Sequence, residues 1–217
     1  MNLSAPLTDV SPSLHGAVLT VLAEAHARGE ALSGRRVAAR IRDRGSQEGV
    51  RRVLEALLCA GLVHRAEHPP AALYTLNAEH LAMPYLLAVH NLRDELFARM
   101  REQIASWEIR PVSAVIFGSV ARGDSHAGSD IDVLLIREPL VDDVRQRWEA
   151  QRYALGRAVS RWGVGVAEFV DYTTDMWLES IAIEDPLIDE IERDGITLAG
   201  LTPRRLRTRL TTGKRAA

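Results

Sequence analysis

The sequence holds a single cysteine, Cys59, which excludes a disulfide within the chain. Cys59 sits in the apolar stretch Leu57-Leu58-Cys59-Ala60, so it is expected as a small buried hydrophobe rather than a reactive thiol. A cytoplasmic setting fits that cysteine usage. The first residues lack a basic stretch followed by an apolar run, so no secretory signal is expected. No apolar stretch approaches the ~20 residues that a bilayer-spanning helix needs, and no membrane partner is expected. There is no internal repeat. Acidic residues are missing after residue 200: residues 201–217 carry six Lys/Arg and no Asp or Glu. Large apolar groups are few there too, and this basic tail is expected to be partly disordered.

What is present suffices for one large or two small cores, since 47% of the residues are hydrophobic. The net charge of −2 hides an asymmetry. Residues 1–76 hold nine basic and seven acidic residues, and residues 108–200 hold nine basic and eighteen acidic. Seven arginines fall between Arg35 and Arg52, against Asp43 and Glu48. Different parts of the chain therefore suit different partners.

The first 76 residues read as three helices and a hairpin. Ser13 caps a helix through Val18, Leu19, Val21 and Leu22 that ends near Gly29. Ser33 caps a second with Val37, Ala38 and Ile41 on one face, stopped by Gly45. Ser46 caps a third, with Val50, Val53, Leu54, Leu57 and Leu58 at helical spacing and Gly61 beyond its end. Leu62-Val63-His64 and Ala72 to Leu76 read as strands joined through His68-Pro69-Pro70. That order is the one found in a winged helix-turn-helix. Residues 77–107 read as a helical connector, with Pro84 opening one long helix whose stripe runs Val89, Leu92, Leu96, Met100, Ile104, Trp107. The stripe is read as core or interface, and a homodimer through it is one expectation. After Pro111 the pattern turns to strands: Val112 to Phe117, Ile131 to Ile136 and Gly165 to Tyr172. A helix from Val141 to Trp162 lies between the last two. Helices follow over residues 174–183 and 186–194, then a short strand at Ile196-Thr197-Leu198. The fold class is α+β: a winged helix-turn-helix over residues 1–76, a long connecting helix in 77–107, a small mixed sheet with flanking helices over 108–200, and the tail 201–217.

The chemistry concentrates in Ile116-Phe117-Gly118-Ser119-Val120-Ala121-Arg122-Gly123-Asp124 and Gly128-Ser129-Asp130-Ile131-Asp132. A strand ending in Gly118-Ser119 before a turn or helix lets a phosphate approach free backbone amides. Ser119 and Ser129 add hydroxyls, and Arg122 adds a forked cation one turn on. Asp130 and Asp132, two apart at a strand start, point to one face. Carboxylates that close repel unless a cation lies between them, and oxygen ligands of this kind suit Mg²⁺. A triphosphate cradle beside paired carboxylates suits two-metal nucleotidyl transfer.

Gly118-Ser119-x-Ala121-Arg122-Gly123 followed by Ser129-Asp130-x-Asp132 resembles the signature of the DNA polymerase beta-like nucleotidyltransferase superfamily, and the small minimal nucleotidyltransferases in particular. The resemblance covers residues 108 to about 200. It implies that Asp130 and Asp132 bind Mg²⁺, two ions in all, and that Gly118 and Ser119 hold the β and γ phosphates of an NTP. It also implies a third carboxylate from a later strand, usually an aspartate. Glu168 and Asp171 are both available, and an odd spacing sends them to opposite faces. The reading favours Glu168, flanked by apolar neighbours, as third metal ligand and catalytic carboxylate.

The basic N-terminal module suits double-stranded DNA. Gln47, Arg51 and Arg52 lie early on the third helix, away from its core stripe, and Arg65 lies on the wing. Three functions compete. The first is an Mg²⁺-dependent transferase moving AMP from ATP to a hydroxyl of a protein or small molecule. The second is a DNA-binding regulator whose nucleotidyltransferase domain senses nucleotide. The third is an assembly module.

Overall fold

A computed structural model describes residues 1–41 and 45–215. The chain divides into two compact units, Ala5–Arg93 and a second made of Met1–Ser4 with Asp94–Ala217.

In the Ala5–Arg93 unit, α1 (Leu7–Val10) and α2 (Leu14–Ala27) precede a short strand β1 (Leu32–Ser33). Then come α3 (Gly34–Ile41), α4 (Gln47–Cys59), β2 (Val63–Ala66), β3 (Leu73–Leu76) and α5 (Met83–His90). The serine caps act as their positions dictate: the Ser13 hydroxyl accepts from the His15 amide at 3.3 Å and that of Ser46 from the Gly49 amide at 3.0 Å. Apolar residues at helical spacing, among them Val18, Leu22, Val37, Val50, Leu54 and Leu57, close one core. The three strands form an antiparallel sheet in the order β1-β3-β2. The segment between Ile41 and Gly45, where the sequence places the stop of α3, lies outside the described residues. Cys59 differs from expectation: it is exposed. It stands two residues from the buried Leu57, and on a helix that places it on the opposite side from the core stripe.

The long helix expected from Pro84 onward is instead two helices, α5 and α6 (Leu92–Ala105). The break falls at Asn91, whose φ and ψ are −91° and 16° and whose amide donates to the Leu87 and Val89 carbonyls. Asparagine competes poorly for helix interiors because its carboxamide offers the backbone alternative partners.

The second unit continues from α6 with β4 (Ser113–Phe117), α7 (Gly118–Arg122), β5 (Ile131–Arg137), α8 (Asp142–Arg161) and β6 (Ala167–Thr173). It ends with α9 (Thr174–Ala182), α10 (Pro186–Asp194), β7 (Ile196–Gly200) and α11 (Pro203–Arg215). The sheet runs β6-β5-β4-β7, mixed, with β5 and β6 parallel and the other pairs antiparallel. Both faces are covered, which is why β4 and β5 are apolar almost throughout. Ala114, Ile116, Ile131, Val133 and Leu135 pack with Met100, Trp148 and Leu155 of α6 and α8. Val115, Phe117, Leu134 and Ile136 pack with Trp177, Ile188, Ile191 and Leu206 of α9, α10 and α11. The tail also departs from expectation: Pro203–Arg215 is helical, with Leu206 fully buried and Leu210 packed beside it. Two leucines four apart give the basic segment one apolar edge, enough to dock it.

Candidate active site

Strand register builds the site. Asp132 is paired with Phe117 on one side and with Glu168 on the other. Directly paired residues share a face, so Asp132 and Glu168 both point to the side covered by α9, α10 and α11. Asp130 is exposed just before β5 begins. Burial pushes the Asp132 carboxyl above its ordinary value; the charges of Glu168, Asp130 and Glu190 add to that, and Arg122 opposes it.

Gly118 opens α7 immediately after β4, with φ +68°. A Cβ placed there would stand 2.2 Å from Oδ2 of Asp132. Glycine is thus required twice, for a left-handed backbone and for the room the carboxylate occupies. Ser119 follows, half-buried, and its carbonyl accepts from the Gly123 and Asp124 amides. Arg122 donates from Nε to Asp124 Oδ2 at 3.2 Å and from Nη1 to Glu190 of α10. Glu190 is a site neighbour that the sequence reading missed; only the return of α10 to α7 brings it there. Ser129 closes the intervening loop, its hydroxyl accepting from the His126 amide at 2.9 Å.

Asp171, the rival third carboxylate, faces the other way. It accepts from Trp148 Nε1 at 2.9 Å and from Arg137 Nε at 3.2 Å, and is 16% exposed. It neutralises a half-buried arginine on the α8 side of the sheet.

Asp130, Asp132 and Glu168 are not drawn into a tight cluster. Among the described residues, no three His, Cys, Asp or Glu side chains form a group that could hold a metal ion. The donor chemistry nonetheless fits a hard divalent cation: hard carboxylate oxygens, with Asp132 raised in part by the negative charge of its neighbours.

Residues 98–196 match the family model described as "Nucleotidyltransferase domain". That span is similar to nucleotidyltransferase domains. That match supports a nucleotidyltransferase, and it reaches back from the sheet into α6. No curated protein matches the chain. Among solved structures, one described as a toxin–antitoxin with AMP-PNP is similar at 14% identity, over 55% of this chain and 87% of that one, with a TM-score of 0.36. A second, a mutant of the toxin–antitoxin MntA-HpeT, is similar at 13% identity over the same shares, with a TM-score of 0.36.

The residues expected to meet DNA lie in the other unit. Gln47, Arg51, Arg52 and Arg65 are all exposed. Arg51 donates to Glu48 at 2.9 and 2.7 Å and also to Glu55, and Arg52 donates to Glu48 at 3.2 Å. Arg65 pairs with Glu67 at 2.7 Å. The two arginines hold the Glu48 carboxyl down to about 2. The cations of α4 are therefore largely answered by carboxylates of the same helix. Gln47, Glu48 and Arg51 also line a cavity of about 500 Å³ with Arg35, Leu54 and Tyr74. Among the described residues no helix is long and apolar enough to cross a membrane.

Proposed function

We propose that the chain is an Mg²⁺-dependent nucleotidyltransferase that moves a nucleoside monophosphate, AMP from ATP, to a hydroxyl of a protein or small molecule and releases pyrophosphate. The observation that carries this reading is the row Phe117–Asp132–Glu168, with Gly118 packed against the Asp132 carboxylate. Asp130, Asp132 and Glu168 would hold the Mg²⁺. Bound there, the ion would offset the triphosphate's charge and favour departure of pyrophosphate.

The remaining work falls to the protein. Gly118 leaves the turn open to phosphate oxygens, and Ser119 and Arg122 supply donors there. Ser129 acts at one remove by closing the loop that presents Asp130. Glu168, exposed on the face of Asp132, accepts the proton of the incoming hydroxyl. Labelled ATP with Mg²⁺ should leave label on an acceptor in a lysate, and Asp130→Ala/Asp132→Ala should abolish it. Label transfer surviving that double substitution would overturn the assignment.

The element order of Ala5–Arg93 supports a winged helix-turn-helix with α4 as its recognition helix. On that basis the second reading is a regulator that contacts double-stranded DNA through Gln47, Arg51, Arg52 and Arg65, its nucleotidyltransferase domain sensing nucleotide. Nucleotide binding without transfer, together with salt-dependent DNA binding lost in Arg51→Ala/Arg52→Ala, would select it.

A further inference from the structure

The arginines of α11 are in a different state from those of α4. Arg204, Arg205 and Arg209 are exposed, and their guanidinium groups have no hydrogen bond or ion pair among the described residues. Arg207 turns inward, pairing with Glu192 at 3.1 Å. No acidic residue occurs anywhere in residues 201–217 to answer the others. Leu206, fully buried, and Leu210 pin one edge of the helix. By helical geometry Arg204 and Arg205 point away from that edge and Arg209 flanks it, with Arg205 and Arg209 one turn apart, about 6 Å along the axis.

We propose that this exposed arc of α11 docks the phosphate backbone of a nucleic acid. Guanidinium groups fork onto phosphate oxygens, and the helix stacks Arg205 and Arg209 one turn apart with Arg204 beside them, a cluster of positive charge to set against a row of phosphates. A folded acidic protein is the poorer fit. Protein interfaces rest on a buried apolar centre, and the exposed residues from Arg204 to Thr212 are only arginines and threonines. Two of those threonines, Thr208 and Thr211, donate their hydroxyls back to the Arg204 and Arg207 carbonyls. Leu206 belongs to the cluster that covers Phe117 and Leu134, so a strand docked along α11 lies on the sheet face that carries Asp132 and Glu168. The proposal concerns binding alone and stands whether or not the chain transfers nucleotides.

The test is fluorescence anisotropy of the full chain with labelled single-stranded RNA and duplex DNA, each about 20 nucleotides long, across a salt series. At about 50 mM salt, Arg204→Gln/Arg205→Gln/Arg209→Gln should weaken binding of the tighter probe at least about tenfold and flatten its log–log salt slope by about 2 to 3. Arg101→Gln/Arg145→Gln, at exposed arginines of α6 and α8, should leave that binding within about twofold. The three single substitutions, each costing about two- to threefold, carry the same test should the triple variant melt early. The proposal falls if neither probe binds at that salt. It falls equally if the triple variant binds like the parent chain, or if polyglutamate competes as well as unlabelled RNA.

Discussion

Glu168 and Asp171 lie three residues apart on β6 and have opposite surroundings. Glu168 is exposed, on the face of Asp132, among other negative charges. Asp171 is mostly buried and satisfied by Trp148 and Arg137. One strand thus carries an acid whose neighbours repel it and an acid whose neighbours stabilise it. On the proposed function, the difference separates a carboxylate kept for a ligand from one kept for the fold: unmet charge marks the first and complete pairing the second.

That contrast can be broken, first through stability. Asp171→Ala leaves Arg137 and the Trp148 indole without their partner in a largely buried setting. It should cost about 2–3 kcal/mol, lowering the thermal midpoint by about 5–10 °C, while transfer per folded molecule survives. A midpoint within about 1 °C of the parent would deny Asp171 its structural role. Next, Gly118→Ala places a methyl on a left-handed residue and against the Asp132 carboxylate. It should cost about 1–2 kcal/mol by thermal melting and also displace the carboxylate, lowering activity beyond the loss of stability. The smallest effect has the opposite sign. Because the Asp132 carboxyl is raised in the folded protein, its ionised form works against folding above that raised value, and the penalty fades as pH falls through it. Asp132→Asn should therefore raise the midpoint at neutral pH by about 1–3 °C, with the gain vanishing in acid. A lower midpoint at neutral pH would contradict the crowding of charge around Asp132.

Much of this was legible in the sequence, because local patterns specify it. Serine caps placed α2 and α4, continuous apolar runs placed β4 and β5, and Gly-Ser followed by Asp-x-Asp marked the corner and the strand start. The odd spacing of Glu168 and Asp171 already sent them to different faces. What it could not say was which face belonged to the site, since that depends on β6 pairing beside β5. Glu190 was invisible for a like reason: it meets Arg122 across 68 residues of chain. The break at Asn91 and the docking of α11 turned on single residues, an asparagine that interrupts a good stripe and a leucine pair in a poor one. Arginine counts carried no information on pairing: Glu48 and Glu55 lie within one turn of Arg51 and Arg52 and form ion pairs with them.

The most direct test compares Glu168→Gln with Asp171→Asn in a single label-transfer assay, using ATP and Mg²⁺ and normalising to folded protein. The account predicts that Glu168→Gln loses about 100-fold or more in rate at an unchanged thermal midpoint, while Asp171→Asn keeps its rate and melts early. An active Glu168→Gln beside an inactive but fully folded Asp171→Asn would contradict it, and would place the chemistry on the other face of the sheet.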